Sequence, residues 1–241
     1  MLRFVTLLAL VASVAAAGAA PVPPPSEKEL LARHWGKTEG QGEFELKGKR
    51  LTIRTTVPPD MGLISVINGG KTTMPRATRT VTGDFEAAVT VTDAALPNKD
   101  AKHADAYPNT RAGLFVSGGG YAVEFHLYQH YPKVNGVAQD EANRCVFVDT
   151  WFPGGGSGST LKAAEDGKST HLRVARKDKA VTVSYSFDGK EWSAPYTPRK
   201  EMDFPDEVTV GVFLAHSTYQ TLDATFDAFT VEKPKEKAKK E

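Results

Sequence analysis

FEAAVTV (85–91) alternates Phe85, Ala87, Val89 and Val91 with Glu86 and Thr90, and Thr92 extends the polar set. Successive side chains of a strand point to opposite faces, so the stretch reads as a half-buried strand with one dry and one wet face. The period recurs on both sides of it. Leu51 and Ile53 alternate with Thr52 and Arg54, and Val181, Val183 and Tyr185 with Thr182, Ser184 and Ser186. Turn signals separate these runs at Lys47-Gly48-Lys49, Gly83-Asp84, Gly118-Gly119-Gly120, Lys177-Asp178-Lys179 and Asp188-Gly189. There is no strand–helix–strand rhythm. About ten or eleven candidate strands result, too many for one open sheet, and two stacked antiparallel sheets hide their inner faces best. The predicted fold is an all-β, two-sheet antiparallel sandwich of jelly-roll type over 26–232, with one short N-terminal helix.

That helix is read in SEKELLARHWG (26–36), where Ser26 and Glu29 form a capping box and Leu30, Leu31, His34 and Trp35 share one side. Ahead of it, residues 1–20 carry one positive charge at Arg3, an apolar run over 4–14, and small residues around Ala17 and Ala19. This is the layout of a secretory signal peptide. It predicts a signal over 1–19, a stiff proline spacer over 20–25, and an exported protein, periplasmic or extracellular. The apolar run is shorter than the roughly 20 residues of a membrane span. KPKEKAKKE (233–241) has nothing to bury and reads as a disordered charged tail.

Thirty basic and twenty-nine acidic residues give a formal net charge of +1. The long-range field of a nucleic-acid binder is missing, which argues against that partner. Cys145 is the single cysteine, so no internal disulfide exists, and RCVFVDTW (144–151) reads it as a buried, inert thiol.

Candidate chemistry lies in YAVEFHLYQHY (121–131). With Val123, Phe125 and Leu127 turned to the core, Glu124, His126, Tyr128 and His130 fall together on the other, exposed face. A row of carboxylate, imidazole, phenol and imidazole suits a flat polar ligand such as an oligosaccharide, or else satisfies itself on a plain sheet surface. Pairing with RCVFVDTWF (144–152) would bring Asp149 and Trp151 alongside. Two long polar connections, 96–109 and 132–143, flank the strand, and loops of this length are often functional.

His126 and His130 lie about 13 Å apart along a strand and cannot share an ion, whereas Glu124 and His126 could with a third ligand such as Asp149. The sequence alone assigns no metal and no cofactor. Calcium is compatible with sandwiches of this class, but no Asp-x-Asp-x-Asp-Gly loop occurs. Catalytic signatures are also missing: there is no Gly-x-Ser-x-Gly, no His-Glu-x-x-His and no phosphate loop. FPGGGSGST (152–160) reads as a flexible loop. SYSFDGKEWSAP (184–195) is similar to the sialidase Asp-box, with Gly189 following Asp188 directly, and reads as a type I′ hairpin whose Trp192 folds over the apolar face.

Taken in order, TVTGDFEAAVTV (80–91), RAGLFVSGGGYAVEF (111–125), HLRVARKDKAVTVSYSFDGKEW (171–192) and VTVGVFLAHSTYQTLDATFDAFTV (208–231) resemble the concanavalin A-like sandwiches of the domain-of-unknown-function 1349 type. The resemblance covers roughly 40–231. It implies two curved sheets whose concave face binds glycans in many members of the wider superfamily, and it implies no reaction. Gly120 to Glu124 is also similar to a strand of the 3-keto-disaccharide hydrolase-type domains. The opening HWGKTEGQGEF (34–44) lacks their Phe-Asn-Gly, so no catalytic role is carried to Glu124.

The leading expectation is an exported, non-catalytic sandwich that binds carbohydrate, a glycan or polysaccharide, or another cell-surface polymer on one sheet face through Glu124, His126, Tyr128, His130, Asp149 and Trp151. The alternatives are a sugar hydrolase using Glu124 and Asp149, which needs two carboxyl groups about 5–9.5 Å apart, or an envelope module without a small ligand. Oligomeric state is not legible.

Overall fold

The alternation at 85–91 becomes the central strand of one of two stacked sheets. A computed structural model describes residues 25–55, 72–105, 108–134, 137–165, 167–200 and 202–234. The expected signal over 1–19, nearly all of the expected spacer and most of the charged tail lie outside the described residues.

Helix α1 (Glu27–His34) has the expected box: Glu29 N–H donates to Ser26 Oγ, and Ser26 N–H donates to the Glu29 carboxylate at 2.7 Å. Its apolar side leads to Trp35, which is fully buried against Phe226 and stacked on Phe229 at 5.7 Å. The Trp35 indole N–H donates to Lys49 O. Burying such a side chain contributes about 3 kcal/mol, enough to seat a helix that has no buried residue of its own.

The first sheet has six strands: β2 (Gly42–Lys47), β3 (Arg50–Thr55), β5 (Phe85–Ala94), β12 (Thr170–Lys177), β13 (Ala180–Ser186) and β15 (Asp223–Glu232). Its order is β13-β12-β5-β15-β3-β2. The second has seven: β1 (Lys37–Glu39), β4 (Arg76–Thr82), β6 (Asn109–Gly118), β7 (Tyr121–His130), β10 (Asn143–Phe152), β11 (Gly155–Ala163) and β14 (Glu207–His216), in the order β1-β4-β14-β6-β7-β10-β11. Every pairing is antiparallel. The inward sets of both sheets, among them Leu51, Ile53, Val89, Phe125, Leu127, Val174 and Phe226, form one core. This is the concanavalin A-like jelly roll. No helix among the described residues is long and apolar enough to cross a membrane.

Three expectations change. The 132–143 connection contains a small hairpin of β8 (Lys133–Val134) and β9 (Val137–Ala138). FPGGGSGST is no loop: after a turn at Pro153 and Gly154 it forms most of β11, paired with β10 along its length. The Asp188-Gly189 bend is not type I′, because only Gly189 has positive φ (73°) and a type I′ turn needs it at both central residues. Asp188 instead accepts from the Lys190 and Glu191 N–H groups and from Ser186 Oγ, a side-chain-built turn. The chain then returns along β13 through one bridge, Val183 to Tyr196. Trp192 does not enter the core but lies half-buried under the Arg173 guanidinium, 3.7 Å from the ring centroid.

These backbone hydrogen bonds hold the Asp188 carboxyl down at about 2, below its ordinary 3.8. A depressed carboxyl stabilises the fold above its unfolded pKa, and the contribution is lost as pH falls through the folded one. Asp188→Asn is therefore expected to lower the denaturant midpoint near neutral pH, with the gap to the parent closing between about pH 4 and pH 2. Equilibrium unfolding across that range checks this; a gap that does not vary with pH would contradict it.

Candidate functional site

β7 lies within the seven-stranded sheet, between β6 and β10. Val123, Phe125 and Leu127 join the sandwich core, as their alternation predicts. The registers then place Phe115, Glu124 and Asp149 in one row across β6, β7 and β10. Gly113, His126 and Phe147 form the next row, and Arg111, Tyr128 and Cys145 a third. The structure thus gathers the expected residues on one face of the sheet, Asp149 directly opposite Glu124. Trp151 sits one step along β10, beside Ala122.

Their depth departs from expectation. Glu124 and His126 are 0% exposed and His130 8%, while Tyr128, Asp149 and Trp151 are half-buried. The cause is a second apolar cluster on this outer face, formed by Met74, Phe115, Ala122, Phe213 and Ala215 with Trp151 packed against it. His126 is ringed by Tyr128, Phe147 and Phe213, with centroids 5.8–6.0 Å away. Tyr128 in turn stacks on His130 at 4.6 Å. Alternation tells which side a residue takes; it does not tell what lies over that side.

Two neighbouring strands make room. A Cβ on Gly113 would stand 2.3 Å from Phe125 O and 2.7 Å from His126 Cβ. On β11, a Cβ at Gly156 would stand 2.2 Å from the Trp151 ring, and one at Gly158 2.6 Å from Phe147 and 2.7 Å from Asp149 Oδ1. The glycines that suggested a loop are those that let the large side chains of β10 lie across an edge strand.

Charge is concentrated here. Arg111 Nη1 is 4.0 Å from both Glu124 Oε2 and Asp149 Oδ2, and its Nη2 is 3.8 Å from Asp105 Oδ2. His126 Nε2 is 3.7 Å from Asp149 Oδ2. All four distances are longer than hydrogen bonds. Burial, with Arg111 adding to it, pushes the His126 imidazole well below its ordinary range, so it is neutral at pH 7. Burial raises the Asp149 carboxyl to about 6, with Arg111 pulling the other way. His130 is lowered by burial, and the buried Cys145 thiol is raised by it, in line with an inert cysteine. Neither ring nitrogen of His126 nor the buried indole nitrogen of Trp151 makes a hydrogen bond of normal geometry, and the Glu124 backbone is only a weak partner for His126.

The sequence profile of the family described as Protein of unknown function (DUF1349) matches residues 39–234. The chain belongs to that family. No curated protein matches this DUF1349 chain. Among solved structures, a functionally unknown protein of Saccharomyces cerevisiae is 15% identical with a TM-score of 0.54, covering 80% of this chain and 97% of its own, which shows the shared fold. The GH43 protein BlXynB of Bacillus licheniformis is 16% identical (TM-score 0.49) over 80% of this chain and 35% of its own length. A legume lectin-like domain of Entamoeba histolytica is 8% identical (TM-score 0.47) over 90% of this chain and all of its own.

Two members of the DUF1349 chain's site were not singled out from sequence, Arg111 and Phe147. Both were reachable. Arg111 has the same parity as Gly113 and Phe115 on a strand pairing with β7, and Phe147 the same parity as Asp149 on β10. Because the Gly113 contact is with backbone, Gly113→Ala is expected to destabilise the fold by about 3 kcal/mol. Chemical denaturation measures this; a loss under about 1 kcal/mol would mean that β6 and β7 separate easily there.

Proposed function

We propose that this chain is an exported carbohydrate-binding sandwich whose binding surface is the outer face of the seven-stranded sheet around Asp149. The observation that carries the reading is three half-buried aromatic side chains, Tyr128, Phe147 and Trp151, set around a carboxylate that faces a guanidinium. Rings of this kind present flat apolar surface to the C–H faces of a sugar, while the half-buried Asp149, with the buried Arg111 behind it, meets its hydroxyls.

Glu124, His126 and His130 take a different role from the one their alternation suggested. Being buried, they support the surface rather than touch the ligand. The signal-like residues 1–19 support export, and the formal charge of +1 fits a neutral glycan better than a strongly charged polymer.

The test is retention on a polysaccharide panel and a glycan array. Trp151→Ala is expected to lower the melting temperature and, in protein that circular dichroism shows still folded at the assay temperature, to weaken binding about tenfold or more, the scale of an aromatic anchor. Binding unchanged in that variant removes the surface, and no binding to any glycan removes the function.

One observation favours a second reading, hydrolysis. The nearest ligand atoms of Glu124 and Asp149 lie within 4.8 Å, close to the roughly 5–5.5 Å of retaining glycosidases. A hydrolase would release product from aryl glycosides or oligosaccharides and lose turnover in both Glu124→Gln and Asp149→Asn. Lack of turnover on substrates that the protein binds would dismiss it.

A further inference from the structure

Glu124, His126 and Asp149 each turn one ligand-type atom into the same small volume, all within 4.8 Å of one another. No other such group of three occurs among the described residues. Two belong to alternate positions of β7, and the third faces Glu124 across the β7–β10 ladder. The set is therefore fixed by strand register and not by a loop.

His126 is the independent pointer to a ligand. It is wholly buried, and neither ring nitrogen makes a hydrogen bond of normal geometry, the Glu124 backbone on the same strand being a weak polar contact. A buried neutral imidazole has one donor and one acceptor to satisfy, and one weak contact leaves at least one of them unmet in a native core, which calls for an explanation. The nearest acidic atom, Asp149 Oδ2, is 3.7 Å from Nε2. That is too long for a hydrogen bond, yet close to the roughly 3.4 Å between two ligands on a tetrahedral ion with bonds of about 2.1 Å.

We propose that Glu124, His126 and Asp149 bind one divalent transition-metal ion, Zn2+ in the first instance, with solvent completing its coordination. One imidazole nitrogen and two carboxylate oxygens, with no thiolate, suit this ion class. Asp149, the least buried of the three, marks the side from which the ion and its water enter. Charge agrees as well. Counting Asp105, three carboxylates surround the single Arg111 guanidinium, leaving two negative charges when all are ionised, which one divalent ion cancels. Arg111 does not block the site, because it stands 4.0 Å from Glu124 and Asp149 and has Asp105 and the Tyr128 ring to lean on. This inference does not rest on the glycan reading.

The experiment uses the full chain, stripped with chelator and dialysed, then titrated with Zn2+ by calorimetry and with Co2+ by visible absorption, with no glycan present. One equivalent is expected, with ligand-field bands for Co2+ that Zn2+ abolishes. His126→Gln and Asp149→Asn are each expected to weaken binding by at least roughly 100-fold, beyond what loss of an outer partner costs. His34→Gln, on the helix, should leave it unchanged. Binding that is absent, or undiminished in the folded variants, overturns the proposal. If both variants fail to fold, proton NMR of the Co2+-loaded parent chain decides. A single shifted imidazole N–H supports the site, and none or several overturns it.

Discussion

The register of β7 against β6 and β10 is the constraint on which the rest depends. Val123, Phe125 and Leu127 are fully buried between the sheets. A slip of one residue would turn Glu124 and His126 into the sandwich core and expel those three. The cost of placing a carboxylate there fixes the register. Once fixed, the same register sets Asp149 opposite Glu124, and Phe147 and Gly113 on either side of His126. The site is thus a by-product of core packing on the opposite face of the same strand, which is why it needs no loop to hold it.

The outer face is itself a small core in which polar groups are embedded. Phe115, Phe213 and Met74 exclude water from Glu124 and His126 as effectively as the sandwich interior would. In such surroundings each polar atom without a partner is costly, and structural side chains avoid that state. Trp35 meets the condition through Lys49 O, whereas Trp151 and His126 do not. These two unmet groups both lie on the outer face of the seven-stranded sheet.

Most of the fold was legible, because half-buried strands such as β3, β5 and β13 carry their period of two in plain view. β11 was hidden for a physical reason. Its glycines remove the side chains whose alternation would have revealed a strand, in order to admit Trp151, Phe147 and Asp149 from β10. The Asp188 turn misled for another: its carboxylate gathers backbone N–H groups, and that local chemistry outcompeted the two-residue turn that Asp-Gly favours. That Glu124, His126, Tyr128, His130, Asp149 and Trp151 share one face of the sheet was readable from parity and pairing. Depth was not, since it depends on Met74 and Phe213, which are remote in sequence and come together only in the folded sheet.

Burial acts with opposite sign on the two kinds of titrating group at this site, and the combination decides what can enter. It strips the proton from His126 and retains one on Asp149 up to about pH 6. At neutral pH the imidazole is therefore uncharged and Asp149 largely ionised, so Arg111 is the cluster's cation. A cluster so rich in acceptors attracts a species that brings donors or positive charge. At the rim, among Tyr128, Phe147 and Trp151, there is room for hydroxyl groups on a ring. At the floor, between Glu124, His126 and Asp149, ligand atoms within 4.8 Å leave room for little more than an ion. The two proposed occupants would differ in depth and be drawn by one field, so the presence of either would change the charge that the other meets.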